Sequence, residues 1–223
     1  MRPNPVKMLI GATGPALALQ ELLYGFIMEL IFVTAARIGI LTYGDATGLC
    51  LMIIGMNATW GGIDAIVFFL INHFNYRMYR RLIIAAKSDS DSRESVTNRM
   101  MTSLDGTLID TLSHDSKRKI CEIILESELE SDEGVSRDYR KMVFSSIGCF
   151  IITLLTVVPV IVPILILDNP KIGLDVASML ASVLLFFIGY RMKDYCGVSG
   201  WGMGLFLTGI SWSITIIATF SGG

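Results

Sequence analysis

The chain has 223 residues, of which 52% are hydrophobic and only 17% are charged, and its mean hydropathy is +0.60. Soluble domains usually carry about 25% charged residues, so this composition argues against an ordinary soluble enzyme. The formal net charge of −2 shows no basic excess, which argues against a nucleic-acid partner. The four cysteines contain no Cys-x-x-Cys pair, so their spacing excludes zinc-knuckle and thioredoxin-type motifs.

Five continuous apolar stretches are long enough to cross a bilayer, which takes about 20 residues in a helix. They lack the period-2 alternation of strands, and only helices or closed barrels span lipid. We therefore expect an all-α integral membrane protein with five transmembrane helices, the first of which starts near Pro15. The five predicted spans are Leu19–Leu41, Gly48–His73, Met142–Leu167, Ile172–Tyr190 and Gly197–Phe220.

The charges are concentrated in one segment of the chain. Of the 18 basic and 20 acidic residues, 12 basic and 13 acidic residues lie between Arg77 and Lys141. This asymmetry predicts three parts. Residues 1–75 hold the N-terminal segment and spans one and two, residues 76–141 form a small helical insertion, and residues 142–223 hold spans three to five.

The insertion contains several helix signals. We expect span two to continue as a helix through Tyr76–Lys87, because this stretch has no helix breaker. The motif at Asp91–Glu94 resembles a capping box and opens a short helix that runs through Met101. A further helix is predicted over Ser113–Glu130, with Ile120, Ile123 and Ile124 along one face. A turn is then expected over residues 131–134, and Ser136 is expected to cap a helix that runs into span three.

The placement of Lys and Arg predicts the orientation in the membrane. The N-terminal tail and the link between spans four and five each hold two basic residues, the insertion holds 12, and the link between spans three and four holds only Lys171. This places the N-terminus and the insertion in the cytoplasm and the C-terminus outside. Arg37, in the outer part of span one, is expected to snorkel or to contact Asp45. A prokaryotic cytoplasmic membrane is the simplest location, since no targeting segment is recognisable.

Two acidic residues stand within the predicted spans. Glu29 lies ten residues from Leu19 and Asp64 lies ten residues from Phe74, at the inner ends of their spans, and ten residues correspond to about 15 Å along a helix. Two neighbouring helices would therefore place both carboxylates at one depth, where no Lys or Arg occurs. Glu21 lies nearer the inner end and is expected to be interfacial, within reach of water.

Two close carboxylates without a counter-charge hold either a proton or a cation in a low-dielectric medium. That is the chemistry of proton–cation exchange. The alternative is that each carboxylate only forms a hydrogen bond to a neighbouring helix.

The residues around these acids suggest which cation they would accept. Asn57 and Asp64 lie on one stripe of span two. Met28 adjoins Glu29 in sequence, and Met56 lies on span two, although either methionine is as readily explained by packing. Thioether, carboxylate and amide ligands together suit Fe²⁺ or Mn²⁺ better than Mg²⁺.

Span three contains Pro159 and Pro163, and each proline ring removes a helical hydrogen bond. The carbonyl groups that are freed in this way either face a cavity or are satisfied by Thr153 or Thr156. The sequence leaves both alternatives open.

The insertion also carries an acidic run without a basic residue. Such a run collects divalent cations or forms only a solvated helix face. The candidate metal-binding residues in this run are Glu122, Glu126, Glu130, Asp132 and Glu133.

Three segments resemble the vacuolar iron transporter (VIT) family, and more closely its prokaryotic membrane-protein relatives. They are QELLYGFIMELIFVTAARIG in span one, GMNATWGGIDAIVFFL in span two and TLLTVVPVIVPILIL in span three. The second resembles the Gly-x-Asn-x-x-Trp-Gly-x-x-Asp stretch of those relatives. The resemblance implies a homodimer that exports Fe²⁺ or Mn²⁺ from the cytosol in exchange for protons. It implies Glu29 and Asp64 as the acids of spans one and two, Met56 as the thioether, and a cytoplasmic helical domain that collects metal.

The sequence therefore predicts a proton-coupled transporter of divalent metal with no permanently bound cofactor. An intramembrane enzyme is disfavoured, because no nucleophile–base constellation is visible and the one histidine of the spans, His73, stands at the end of span two. The alternative function is a non-transporting scaffold or regulatory protein of the VIT type.

Overall fold

The structure is a computed structural model that describes residues 13–88, 93–103, 108–128 and 132–221, and these residues contain helices and no strand. Five helices are long: α1 (Pro15–Arg37), α2 (Ala46–Ser88), α5 (Asp132–Ile166), α6 (Pro170–Arg191) and α8 (Gly200–Ser221). The short elements are α3 (Arg93–Ser103), a 3₁₀ turn (Leu108–Thr111), α4 (His114–Glu126) and α7 (Lys193–Cys196).

Each of the five long helices contains a stretch that is long and apolar enough to cross a membrane. This agrees with the predicted all-α class and with the predicted number of spans. Helix α1 begins as expected with Pro15 in its first turn, after Gly14 at a φ of 90°. It ends at Arg37, before the predicted boundary at Leu41, because the chain leaves the helix through Gly39 at a φ of 79°.

The long helices extend beyond the apolar stretches that predicted them. Helix α2 continues without a break to Ser88, which confirms the helical extension over Tyr76–Lys87. Helix α5 already begins at Asp132, so the turn predicted over residues 131–134 and the cap predicted at Ser136 are wrong. A single glycine within a helix, here Gly134, costs only about 1 kcal/mol, and the long helix that follows offsets that cost.

The short helices α3 and α4 occupy the positions predicted for them. Ser113 caps α4, since its hydroxyl accepts a hydrogen bond from the backbone N–H of Ser116 at 3.4 Å. Helix α4 ends at Glu126 rather than at Glu130, because Ser127 adopts an extended conformation. The capping box at Asp91–Glu94 lies partly outside the described residues, which omit 89–92.

The chain forms two compact units, Met1–Val67 with Val143–Gly223 and Phe68–Met142. The first unit, hereafter the membrane unit, has a buried apolar core to which α1, α2, α5, α6 and α8 all contribute. Large apolar side chains also cover its outside, as in Ile66, Phe187 and Ile217. Such an extensive exposed apolar surface is typical of a protein that lies in lipid.

The second unit, hereafter the polar unit, has a small core of its own. Val96 and Met100 of α3 are buried with Cys121 and Leu125 of α4. Of the isoleucines predicted to share one face of α4, Ile124 packs against this core, whereas Ile123 is exposed. Burial, with a smaller effect from Glu122, raises the pKa of the Cys121 thiol.

Candidate functional site

Polar side chains from three helices meet inside the membrane unit. Helix α1 presents two acidic residues on one face, separated by eight positions with a glycine midway between them. Helix α2 contributes an amide, and α5 contributes two hydroxyl groups. These residues are Glu21, Gly25 and Glu29 of α1, Asn57 of α2, and Thr153 and Thr156 of α5.

Glu29 is the centre of this cluster and is 1% exposed. Its Oε1 atom accepts hydrogen bonds from Nδ2 of Asn57 at 2.7 Å and from Oγ1 of Thr156 at 2.6 Å. Its Oε2 atom and Oδ1 of Asn57 are buried and have no hydrogen-bond partner among the described residues. Within the same residues, none of the ion pairs includes Glu29. The carboxyl group is thus held by neutral donors and keeps one oxygen available.

The hydroxyl group of Thr156 has two possible acceptors but only one hydrogen. Its Oγ1 lies 2.6 Å from Oε1 of Glu29 and 2.6 Å from the carbonyl oxygen of Thr153. When Glu29 is ionised, Thr156 donates to the carboxylate. When Thr156 donates to the Thr153 carbonyl, which only accepts, the contact with Glu29 requires a proton on the carboxyl group. Both protonation states of Glu29 are therefore hydrogen-bonded with the same heavy-atom positions.

Glu21 is part of the same network, and the sequence reasoning missed it. It is 3% exposed, so the expectation of an interfacial carboxylate within reach of water is wrong. Its Oε2 atom accepts a hydrogen bond from Oγ1 of Thr153 at 2.7 Å, and the same hydroxyl lies 3.1 Å from the carbonyl oxygen of Cys149. Helix α5 covers this end of α1. The eight-residue spacing of Glu21 and Glu29 was the signal that could have revealed the shared face.

Two glycines allow the three helices to come this close. A Cβ atom at Gly25 would overlap the side chain of Thr156, and one at Gly61 would lie 3.1 Å from Cβ of Thr153. Small residues permit such close backbone approach between membrane helices. The hydrogen bonds of Thr153 and Thr156 to the acids of α1 depend on this approach.

Asp64 and Met28 line a cavity of about 390 Å³ in the membrane unit, together with Tyr24, Ile27, Ile31, Phe32 and Trp60. Glu29 does not line this cavity. Asp64 lies within electrostatic range of Glu21 and forms no hydrogen bond to Glu29. The predicted residues are therefore divided, because Glu29 contacts Asn57 whereas Asp64 shares a cavity with Met28. Met56 is partly buried and does not line this cavity.

The hydroxyl groups of α5 do not serve the carbonyls that its prolines leave free. Thr153 and Thr156 bond to the acids of α1 and to the carbonyls of Cys149 and Thr153. The alternative in which these threonines satisfy the carbonyl groups freed by Pro159 and Pro163 is therefore wrong.

Arg37 also finds a different partner from the one expected. Its guanidinium group pairs with Asp175 of α6 at 3.3 Å. Asp45, the predicted partner, instead caps α2, because its Oδ1 accepts a hydrogen bond from the backbone N–H of Gly48 at 2.6 Å. Asp45 therefore caps the start of α2 instead of pairing with Arg37.

The predicted metal ligands of the insertion are partly engaged with arginines. Glu122 accepts a hydrogen bond from Arg118 at 3.2 Å, and Glu126 accepts one from Arg93 at 2.8 Å. Glu130 and the side chains of Asp132 and Glu133 lie outside the described residues. Over the described ranges, no group of three or more His, Cys, Asp or Glu residues is arranged to hold a metal ion.

Comparisons with known proteins do not assign the chain to a family. No protein-family model matches it, and no curated protein or solved structure is significantly similar to it. The chemistry of the cluster is therefore the basis for a functional proposal. A buried carboxyl group with neutral donors, a rotatable hydroxyl and two unpartnered oxygens is suited to exchange a proton for a cation.

Proposed function

We propose that this protein is a proton-coupled transporter that moves a divalent metal, Fe²⁺ or Mn²⁺, out of the cytosol. The observation that carries the proposal is Glu29, which is 1% exposed and has no basic partner among the described residues. An ionised carboxylate at such a position costs several kcal/mol unless it is neutralised. Glu29 then carries a proton in one state and faces a cation in the other.

The surroundings of Glu29 support the proton half of this exchange. The Thr156 hydroxyl donates to the ionised carboxylate and turns to the Thr153 carbonyl when the carboxyl group holds a proton. In both states a hydrogen bond joins Thr156 and Glu29. The site thus accommodates loss and gain of a proton without repacking of the helices.

The oxygens without partners support the cation half. Oε2 of Glu29 and Oδ1 of Asn57 are buried acceptors without donors among the described residues, and both are ligand types for a divalent ion. Asp64 and Met28 add a carboxylate and a thioether to the wall of a cavity in the same unit. A thioether favours Fe²⁺ or Mn²⁺ over Mg²⁺ as the transported ion.

The direction of transport and the assembly follow from the resemblance to the VIT family and from the distribution of charge. In this proposal the N-terminus and the insertion lie in the cytoplasm of a prokaryotic cell, the C-terminus lies outside, and two copies form a homodimer in the cytoplasmic membrane. The acidic residues of the insertion would meet the metal before it enters the membrane unit. Cross-linking in mild detergent that yields only monomer would contradict the dimer.

The test is metal-dependent proton flux in liposomes that contain the purified protein and a pH dye. Wild-type protein is expected to couple entry of Fe²⁺ or Mn²⁺ to exit of protons. Glu29→Gln keeps the shape of the side chain and the contact to Thr156 but cannot ionise, so coupled flux is expected to be abolished. Asp64→Asn tests whether the carboxylate in the cavity wall is needed for flux. Glu128→Gln is the matched control and should leave flux unchanged, because Glu128 is exposed in the polar unit. Normal coupled flux in Glu29→Gln and Asp64→Asn would exclude this site.

A non-transporting membrane scaffold is the second candidate. It is favoured by the two threonines of α5, because each donates to an acid of α1 and so ties the two helices together. A scaffold predicts no metal-dependent flux in wild-type protein, whereas Glu29→Gln would still lower thermal stability. The two functions are therefore distinguished by the wild-type liposomes alone.

A further inference from the structure

A groove of about 500 Å³ lies on the membrane unit between α6 and α8, apart from the acidic cluster. Its walls are mainly apolar and aromatic, with Val183, Phe186 and Phe187 on α6 and Leu205 and Trp212 on α8. One end is formed by the ion pair of Arg37 and Asp175. A groove with apolar walls and a charged end resembles the shape of a lipid, which also has a charged end and apolar chains.

Among the residues that the structure describes, one hydroxyl group of this groove has no hydrogen-bond partner. Ser178 of α6 is 8% exposed, and its Oγ atom is buried with no hydrogen-bond partner among the described residues. Serines in membrane helices usually donate to the carbonyl four residues earlier, as Ser182 does to the carbonyl of Ser178. Because Ser178 lines the groove, its free donor indicates an occupant that carries an acceptor oxygen.

Within the described part of the chain, the ion pair at the end of the groove has unused hydrogen-bonding capacity on both sides. Arg37 contacts Asp175 through one nitrogen at 3.3 Å, whereas a guanidinium group has five N–H donors. The side chain of Asp175 is 59% exposed. A donor-rich cation next to an accessible carboxylate is complementary to a zwitterion that contains a phosphate and a primary ammonium.

The dimensions of the groove match one leaflet of a bilayer. Asp175 and Phe187 are twelve residues apart on α6, which corresponds to about 18 Å along the helix. Half of the hydrocarbon core of a bilayer is about 15 Å. Ser178 lies about 4.5 Å deeper than Asp175, the level at which ester oxygens follow the phosphate of a phospholipid.

We propose that the groove binds one phospholipid with a phosphoethanolamine headgroup, taken from the leaflet at the C-terminal end of α1. Arg37 holds the phosphate, Asp175 accepts from the ammonium, Ser178 donates to an ester oxygen, and one acyl chain runs along the aromatic wall. The site is independent of the transport function proposed above.

The test is native mass spectrometry of the full-length protein, purified in mild detergent and offered lipids with identical chains. The lipids are phosphatidylethanolamine, phosphatidylcholine, which lacks N–H donors, and phosphatidylglycerol, which lacks the cation. Wild-type protein is expected to retain phosphatidylethanolamine at least about tenfold better than the other two, as the loss of one charge-assisted hydrogen bond implies. Equal retention of the three lipids would overturn the proposal.

Loss of each charge should affect a different set of lipids. Asp175→Asn removes the negative charge that pairs with the ammonium and should reduce retention of phosphatidylethanolamine to the level of phosphatidylglycerol. Arg37→Gln removes the phosphate contact and should reduce retention of all three lipids. Arg191→Gln is the matched control, because Arg191 forms a similar pair with Asp194 at 3.3 Å and does not line the groove. An unchanged lipid preference in Asp175→Asn would overturn the headgroup assignment.

Two uncharged variants keep the proposal testable if a charge variant does not fold. Ser178→Val removes the free donor, and Val183→Trp fills the groove. Both should reduce retention of phosphatidylethanolamine, whereas Ser213→Ala, which alters a hydroxyl bonded within its own helix, should not. Full retention in Val183→Trp, or a disulfide between two copies through Val183→Cys, would show that something other than a lipid occupies the groove.

Discussion

The membrane unit and the polar unit use the same side chain in opposite ways. Glu29 of the membrane unit is 1% exposed and accepts hydrogen bonds from an amide and a hydroxyl. The side chain of Glu126 in the polar unit is 69% exposed and pairs with Arg93 at 2.8 Å. Water stabilises the charge of Glu126 whether or not the arginine is nearby, so the ion pair with Arg93 contributes little to stability. The charge of Glu29 depends entirely on its protein partners, and a change in those partners should therefore have a larger effect.

The largest effect is expected at Gly25 of the membrane unit, where the structure leaves no room for a side chain. Gly25→Val places a side chain into the space of Thr156 and should lower the free energy of unfolding by about 3 kcal/mol, the upper range for an overpacked core. Titration with a denaturing detergent, followed by circular dichroism, measures this change. Gly55→Val is the control, since a Cβ atom at Gly55 meets no atom within 4 Å. Equal losses in both variants would contradict a specific contact at Gly25.

An intermediate effect is expected at the amide that holds Glu29. Asn57→Leu removes the donor to Oε1 of Glu29 and should lower the free energy of unfolding by about 1–2 kcal/mol. The same denaturing titration measures the loss, and Asn72→Leu is the control because the amide of Asn72 donates to the carbonyl of Phe68 in its own helix. When Glu29 is already replaced by Gln, Asn57→Leu should lower the free energy of unfolding by a different amount. Additive losses in the double variant would show that Asn57 acts independently of Glu29.

A small effect is expected in the polar unit. Arg93→Ala removes the pair with Glu126 and should destabilise α3 and α4 by less than about 1 kcal/mol. Hydrogen exchange of these helices measures the loss, which should disappear at 1 M salt because exposed charges are then screened. Arg99→Ala on the same helix is the control, since Arg99 forms no ion pair with another described residue. A loss of several kcal/mol in Arg93→Ala would contradict the contrast between the two units.

The smallest effect is a pH dependence at Cys121. Its thiol has a raised pKa in the folded protein because it is buried, so the folded state favours the neutral thiol. Stability from this group is complete below the ordinary thiol pKa and is lost as the pH rises above it. Alkylation of a variant whose only cysteine is Cys121 should be slow at pH 8 and should accelerate when the polar unit is unfolded. Rapid alkylation of the folded protein would contradict burial of the thiol.

The features that the sequence predicted well are local along the chain. The five long helices follow from continuous apolar stretches, and the start of α1 follows from Pro15. Each of these depends on interactions within a few neighbouring residues. The extension of α2 to Ser88 was predictable for the same reason, because no helix breaker interrupts it.

The contacts within the candidate site could not be predicted in the same way. Glu21 is buried by Thr153, which is 132 positions away in the sequence, and Arg37 pairs with Asp175 at a separation of 138. Depth in the membrane predicted that Glu29 would be buried, but it did not predict which neighbour would face it. Asp64 has a similar predicted depth and lines a cavity instead, because the direction of a side chain depends on how the helix is rotated.

The two acceptors of the Thr156 hydroxyl also determine how fast the surroundings of Glu29 can rearrange. Passing from one acceptor to the other rotates a single C–O bond, and side-chain rotations of this kind take picoseconds to nanoseconds, whereas collective helix movements take microseconds to milliseconds. Rearrangement around the acid is therefore too fast to limit the turnover of the proposed transporter. If a millisecond step governs a transport cycle, it belongs to motion of whole helices or to release of the ion.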